Sequence, residues 1–384
     1  MMRPIVIDAD SHFMPRDVFD DVDPRFEHRA PRFWVDAVGR SRITYPDREA
    51  QLSPVQRQWR GFNMWMWRDP GNIDPEPRVE FMDERGIDMQ VLVPSEQFHY
   101  DVEPDLGTSV CESYNNAMGR VLRKHPGRFI ALANVPMQSP PRAVKELDRA
   151  ITELGLNAAL VFGNVDGRNL DEPEFWSVYE RMEQLNVPLI IHPGRFGKLM
   201  GIERVNKFHL ENSLGFLYEG CMAITSLITG GVLDMFPRLR VGLLETGAGY
   251  LPTLMDRLNE VYDHEGVDKL ILKRPHEYLD QFWLGANVTS EKDTLGYLVQ
   301  RHGADRFMMG TDYPHGLGGA SLDDLSGNPG LTDDDKRKIL GPNAAKLFNL
   351  PTEVEESTPR RDQTMAPHPH PLPSGERVGV RGAV

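Results

Sequence analysis

Pro4-Ile5-Val6-Ile7-Asp8-Ala9-Asp10-Ser11-His12 is a short apolar run that turns polar at its C-terminal end. Its β-branched residues favour a pleated, buried backbone, so the run reads as a strand. Similar runs rich in Val, Ile and Leu recur near residues 88–94, 129–135, 157–162, 187–192, 240–245, 282–288 and 306–312. Helical patterns fall between them, at 105–125, 141–154, 172–185, 213–235, 249–264 and 291–302. Strands alternating with helices indicate βα units and a parallel sheet. Eight such strands predict an α/β fold of the (β/α)8 TIM-barrel type rather than an open doubly wound sheet. No glycine-rich dinucleotide fingerprint follows the first strand, so the open-sheet alternative lacks its usual signature.

The chain has 384 residues, which as a bare length suggests two or three domains. A (β/α)8 barrel with insertions reaches this size as one, and residues 1–350 are assigned to it. Two segments break the rhythm. Residues 13–75 separate the first strand from the helix expected after it and carry Trp34, Trp59, Trp65 and Trp67 among Arg57, Arg60 and Arg68. An insertion after a barrel strand sits over the mouth, so it reads as a lid or substrate-binding loop, with Trp67 and Arg68 as substrate-binding candidates. An oligomer contact or a small packed subdomain accounts for it equally well. Residues 351–384 have little apolar content and cannot bury enough surface to offset their ordering entropy, so they are expected to form a disordered tail.

Composition excludes several partners. A formal charge of −14 argues against nucleic acid, whose phosphates require basic patches, and against an anionic membrane surface. No stretch approaches the roughly 18 apolar residues of a membrane span. The N-terminus enters a strand at once, without the pattern of a signal peptide. Cys111 and Cys221 are the only cysteines, far apart and without metal spacing, which fits a reducing cytoplasm.

The strand ends carry the chemistry. Asp8, Asp10 and His12 alternate along one strand and so are expected to share a face. Polar groups pointing into a packed interior are costly unless paired or metal-bound, and a buried Asp–His hydrogen bond would account for the first strand alone. The fifth strand ends Ile190-Ile191-His192, the sixth Leu243-Leu244-Glu245-Thr246-Gly247-Ala248-Gly249, and the eighth Met309-Gly310-Thr311-Asp312-Tyr313-Pro314-His315. Four strands thus deliver Asp, His or Glu to the same end of the expected barrel, where catalytic residues of this fold gather. Mixed imidazole and carboxylate donors suit zinc or a similar divalent ion with an open position for a reactive water.

These elements, Asp10-x-His12, His192, Glu245-Thr-Gly-Ala-Gly and Gly310-Thr-Asp312-Tyr-Pro-His315, resemble the amidohydrolase-related family, in the branch of the aminocarboxymuconate-semialdehyde and resorcylate-type decarboxylases. The resemblance spans roughly residues 4–350 and includes Ile339-Leu-Gly-Pro-Asn343-Ala-Ala-Lys-Leu-Phe348. It implies a (β/α)8 barrel, one divalent ion (usually Zn2+, with Mn2+ or Fe2+ as alternatives), commonly a homodimer, and Asp10, His12, His192 and Asp312 as ligands. Two positions depart from the family. The first motif is more often His-x-His or Glu-x-His, and the sixth-strand position, here Glu245, more often a histidine acting on metal-bound water.

A carboxylate beside such a water can take its proton, and it would repel a substrate carboxylate next to it. The reading is therefore a metal-dependent hydrolase of a small cyclic or conjugated substrate, with Glu245 or Asp312 as base and His209 or His315 as assisting acid. The alternative is non-oxidative decarboxylation of an aromatic or unsaturated acid on the same site. Glu245 as a second-sphere orienter or additional ligand stays open. Arg195, on the loop after His192, is the candidate contact for an anionic substrate group, and Asp8 is expected to form structural hydrogen bonds. A catalytically dead scaffold would lack a ligand, and none is missing; a nicotinamide oxidoreductase is disfavoured because the strand ends suit a metal rather than a phosphate.

Overall fold

The computed structural model describes residues 1–35, 41–44, 70–94, 100–193, 210–264, 271–285, 292–314 and 322–356. Its strands, in chain order, are β1 (Met2–Pro4), β2 (Ile7–His12), β3 (Arg32–Val35), β4 (Ser41–Thr44), β5 (Met89–Val93), β6 (Phe129–Asn134), β7 (Ala158–Val161), β8 (Asn164–Val165), β9 (Arg168–Asn169), β10 (Leu189–Ile191), β11 (Val241–Leu243), β12 (Phe282–Gly285), β13 (Phe307–Met308) and β14 (Glu353–Glu355). Eight of them form one parallel sheet in the order β2-β5-β6-β7-β10-β11-β12-β13. The ends of that sheet meet. Ala9 N donates to Met309 O at 2.8 Å, Asp312 N to Asp10 O at 2.9 Å and His12 N to Tyr313 O at 2.6 Å. These three bonds close the sheet into a barrel, so no edge is left between the first and last strands.

The barrel strands are each within a few residues of the runs read from the sequence. All six residues of β2 are buried, polar ones included, because both of its faces are covered. Helices follow the strands at Pro75–Arg85, Pro104–Lys124, Pro140–Thr152, Trp176–Leu185, Phe216–Thr229, Leu251–His264 and Lys292–His302. Local chemistry sets their ends. The helix Pro75–Arg85 starts with Pro at its first position and the Asp74 carboxylate accepting from Glu76 N, and it stops at Gly86 in the left-handed region, φ 66°.

The described part of the insertion packs rather than projects. Residues 13–30 run back along the helix Pro104–Lys124: Asp17 and Asp21 pair with Arg120, Ser113 Oγ donates to Val18 O, Ser109 Oγ accepts from Asp23 N, and Arg29 pairs with Glu103. Ala30, Leu106 and Val110 form a small apolar cluster there, joined by Phe19, Val22 and Phe26. β3 and β4 then pair antiparallel. At the other end of the chain, β14 pairs antiparallel with β1, Met2 opposite Glu355. Within the segment expected from residue 351 to form a tail, backbone pairing with the N-terminal strand holds residues 353–355 despite their polar side chains, and residues 357–384 lie outside the described residues. Among the described residues, no helix is long and apolar enough to cross a membrane.

Candidate metal centre

Five side chains converge at the C-terminal ends of four barrel strands. Asp10 and His12 come from the end of β2, His192 directly follows β10, Glu245 lies two residues past β11, and Asp312 lies four past β13. Asp10, His12, His192 and Asp312 are buried, and the Glu245 side chain is 18% exposed. His12 Nε2 is 3.2 Å from Asp312 Oδ1 and 3.7 Å from Glu245 Oε2, and His192 Nε2 is 2.8 Å from Glu245 Oε2 and 3.8 Å from Asp10 Oδ1. The two imidazoles meet edge to face, with centroids 5.0 Å apart.

These separations can be tested against a shared ion. Two donors each about 2.1 Å from one ion are about 3 Å apart at a right angle, about 3.4 Å at the tetrahedral angle and about 4.2 Å when opposite. All four distances fall at or near that span. Within each of two groups, Asp10–His12–His192 and His12–Glu245–Asp312, the donor atoms lie within 4.8 Å of one another. The donors are nitrogen and carboxylate oxygen, the set that borderline and hard divalent ions prefer. The residues fit a divalent ion.

Electrostatics point the same way. Burial pushes the Asp10 carboxyl up to about 7, although His192 and His12 pull it down. Burial alone would depress the His12 imidazolium, but Asp312 and Glu245 outweigh it and raise the pKa to about 10. Burial likewise opposes the charge of Glu245, yet His12 and His192 hold its carboxyl well below the usual range. The cluster is built to hold positive charge among carboxylates, and a divalent cation supplies that charge directly.

The surrounding backbone aims the donors. His192 Nδ1 lies 2.7 Å from Pro193 O, which places the ring proton on Nδ1 and turns Nε2 toward the cluster. Glu245 and Asp312 both adopt left-handed backbone, φ 51° and 54°, a costly conformation for a side-chain-bearing residue that concentrates at functional sites. β2 has a bulge between Asp8 and Ser11, which breaks the strict alternation expected there. Asp8 accordingly stays out of the cluster. Its carboxylate accepts from Thr311 N at 2.8 Å, Thr311 Oγ1 at 2.6 Å, Gln90 Nε2 at 2.8 Å and Asp10 N at 3.3 Å, the structural role expected of it.

One supporting residue escaped sequence reasoning. Arg78 is fully buried and donates to Ser11 Oγ at 2.9 Å, Gln90 Oε1 at 2.9 Å, Gly71 O at 3.0 Å and the carbonyl of His12. Its guanidinium also lies over the Phe13 and Tyr313 rings, 5.2 and 4.8 Å from their centroids. It therefore ties the strand carrying Asp10 and His12 to the turn after Asp312. A basic residue in a helix normally reads as surface, so only its partners identify it. His209, His315, Arg195, Trp67 and Arg68 lie outside the described residues.

A family model described as amidohydrolase matches residues 7–350. The chain belongs to the amidohydrolase family. It is 31% identical over 285 residues to a 2-amino-3-carboxymuconate-6-semialdehyde decarboxylase of Dictyostelium discoideum, covering 72% of this chain and 77% of that one. It is 30% identical over 295 residues to a gamma-resorcylate decarboxylase of Polaromonas sp., covering 71% and 86%. These relatives set it in the aminocarboxymuconate-semialdehyde decarboxylase-like branch of the superfamily, and it is an enzyme. Among solved structures, the 5-carboxyvanillate decarboxylase of Sphingomonas paucimobilis superimposes with a TM-score of 0.71 at 21% identity, over 91% of this chain and 100% of the other. That of Novosphingobium aromaticivorans, solved with bound manganese, gives 0.74 at 21% identity, over 90% and 97%. At that identity the two share the amidohydrolase barrel.

Proposed function

We propose that this amidohydrolase is a divalent-metal-dependent, non-oxidative decarboxylase of a small aromatic or unsaturated carboxylic acid. The observation that carries the reading is the convergence of Asp10, His12, His192 and Asp312 at the barrel mouth, in a chain whose relatives at 30% identity or more are decarboxylases. This reverses the order expected from Glu245 alone, which favoured hydrolysis. Tyr100 and Phe162, which follow β5 and β7 in the chain, are buried and meet edge to face with centroids 5.6 Å apart, adding apolar aromatic surface after two of the barrel strands. Carboxylate-rich donors and the manganese of a solved relative support Mn2+ over Zn2+.

A bound divalent ion would polarise the oxygen groups of the substrate. Asp10, His12 and His192 would hold it. Asp312 has two oxygens: Oδ1 faces His12 and belongs to the donor set, and the other is our candidate carrier of the proton that replaces carbon dioxide on carbon. The bookkeeping is simple, since the carbon–carboxylate bond breaks, carbon dioxide leaves and one proton is taken up.

A second reading is hydrolysis. It is favoured by Glu245, a partly exposed carboxylate facing His192 and able to take a proton from water. A panel of aromatic and unsaturated acids, assayed for carbon dioxide release with and without Mn2+, separates the two. We expect release that requires metal and falls about 100-fold or more in Asp312→Asn. Cleavage of lactones or amides, with no carbon dioxide from any acid, would establish the second reading instead.

A further inference from the structure

The surroundings of Glu245 constrain its role. The Nδ1 proton of His192 is committed to Pro193 O, so in the neutral ring Nε2 presents a lone pair. That lone pair faces Glu245 Oε2 at 2.8 Å. Two lone pairs at this distance repel unless a proton or a metal ion lies between them, and either one engages the Glu245 carboxylate with this imidazole. His12 Nε2 sits 3.7 Å from the same carboxylate oxygen and 3.2 Å from Asp312 Oδ1, so the cation that relieves the first contact is within reach of the other donors. Glu245 and Asp312 are also presented alike, each in left-handed backbone just past the end of its strand. The close approach of Gly220 to the loop is part of this device: a Cβ there would lie 2.6 Å from Thr246 Cβ, so the helix Phe216–Thr229 presses on the residue next to Glu245.

We propose that Glu245 is itself a ligand of the metal ion, a fifth protein donor beside Asp10, His12, His192 and Asp312. The donor set is then three carboxylates and two imidazoles, which leaves one position of an octahedron for substrate and gives a divalent ion a net charge of −1 with its ligands. Such a set selects a hard, six-coordinate ion of the Mn2+ type over tetrahedral Zn2+. It also takes from Glu245 the role of free base, since its lone pair is engaged. The proposal rests on the metal-site half of the proposed function and is independent of the reaction.

The deciding measurement is a crystal structure of the full chain loaded with Mn2+, the ion located by its anomalous signal. Glu245 oxygen at about 2.0–2.4 Å from the ion, like Asp312 oxygen, is expected. A distance of about 3.5 Å or more, spanned by water, would overturn the proposal while leaving the metal site intact. Absence of the ion from the cluster would overturn both. Chelator competition on metal-stripped protein gives a second readout. Glu245→Gln is expected to weaken Mn2+ binding about 100-fold, the upper end of what outer-sphere partners cost. Glu245→His, which substitutes a nitrogen donor for an oxygen donor, is expected to shift preference from Mn2+ toward Zn2+. Unaltered Mn2+ affinity in Glu245→Gln counts against ligation.

Discussion

Arg78 shows how much of this centre depends on a buried side chain outside the donor set. Its guanidinium is fully buried and spreads its donors over Ser11, His12, Gly71 and Gln90, while Gln90 passes the link on to the Asp8 carboxylate. Burial raises the pKa of Asp8, and its hydrogen bonds from Thr311 and Gln90 counter that rise. Replacing Arg78 by Met leaves those acceptors buried without their donor, and each such loss costs about 1–3 kcal/mol. Arg78→Met is therefore expected to destabilise the fold by about 3 kcal/mol or more in denaturant titrations and to weaken metal binding by about tenfold or more, because the His12 carbonyl loses its anchor. Arg78→Lys, which keeps the charge but not the planar fork, should recover part of both. A Met variant with normal stability and normal metal affinity would remove Arg78 from the support of the site. None of this was legible in the sequence, since an arginine among Glu76, Glu80 and Asp83 on a short helix carries no mark of burial. The strand-end residues were legible because an Asp or His closing an apolar run has few cheap explanations.

At the scale of elements, the ends of the barrel strands present the candidate metal donors, and hydrogen bonds from β2 to the segment after β13 close the barrel. The bulge in β2 sends Asp8 sideways to Thr311 and leaves Asp10 and His12 for the centre. Period-two alternation put all three on one face, and it could not foresee an extra residue in one strand. The opposite end of the barrel is sealed where Gly341, between the helices Asp333–Leu340 and Pro342–Leu347, lies against the link from β1 to β2. A Cβ on Gly341 would come within 2.0 Å of Ile5 O. No flexible side chain can yield there, because the obstacle is backbone. Gly341→Ala is expected to cost about 1–3 kcal/mol and to lower the melting temperature by several degrees, with metal content retained. A melting temperature equal to that of the parent would show that the seam tolerates the shift. The signal for this contact, a glycine before a proline, is common to many helix junctions and says nothing of what packs against it.

At the scale of the whole molecule, metal binding and folding are linked, since Asp10, His12, His192, Glu245 and Asp312 come from four segments far apart in sequence that meet in the closed barrel. Mn2+ at about 100 times its dissociation constant should add about 2.7 kcal/mol of stability, lost on chelation. The sign of its pH dependence follows from the imidazole. In metal-stripped protein the His12 pKa is raised to about 10, above its ordinary 6.5, so its charged form contributes stability that is lost as pH rises through 10. Metal binding must displace that proton. The apparent affinity for Mn2+ should therefore rise with pH up to about 10, by about tenfold per unit for each proton displaced. Below about 7 the slope should steepen, because the Asp10 carboxyl is raised to about 7 and protonates too. Calorimetric titration in buffers of different ionisation enthalpy measures the protons released. Release of none at pH 8 would contradict the charge assigned to His12.

Hydrophobic periodicity sufficed for the barrel, since its strands must be apolar to be buried and its helices amphipathic to cover them. It sufficed also for the polar residues at the strand ends, because an apolar strand interrupted by an ionisable group is conspicuous in a linear chain. It did not yield the seam between β2 and the turn after β13, the buried Arg78, or the pairing of β14 with β1. Each of these depends on contacts between segments that are remote along the chain, and their residues are locally unremarkable. The same holds for the choice between base and ligand at Glu245, which turns on a distance of 2.8 Å to His192 that no spacing in the sequence encodes.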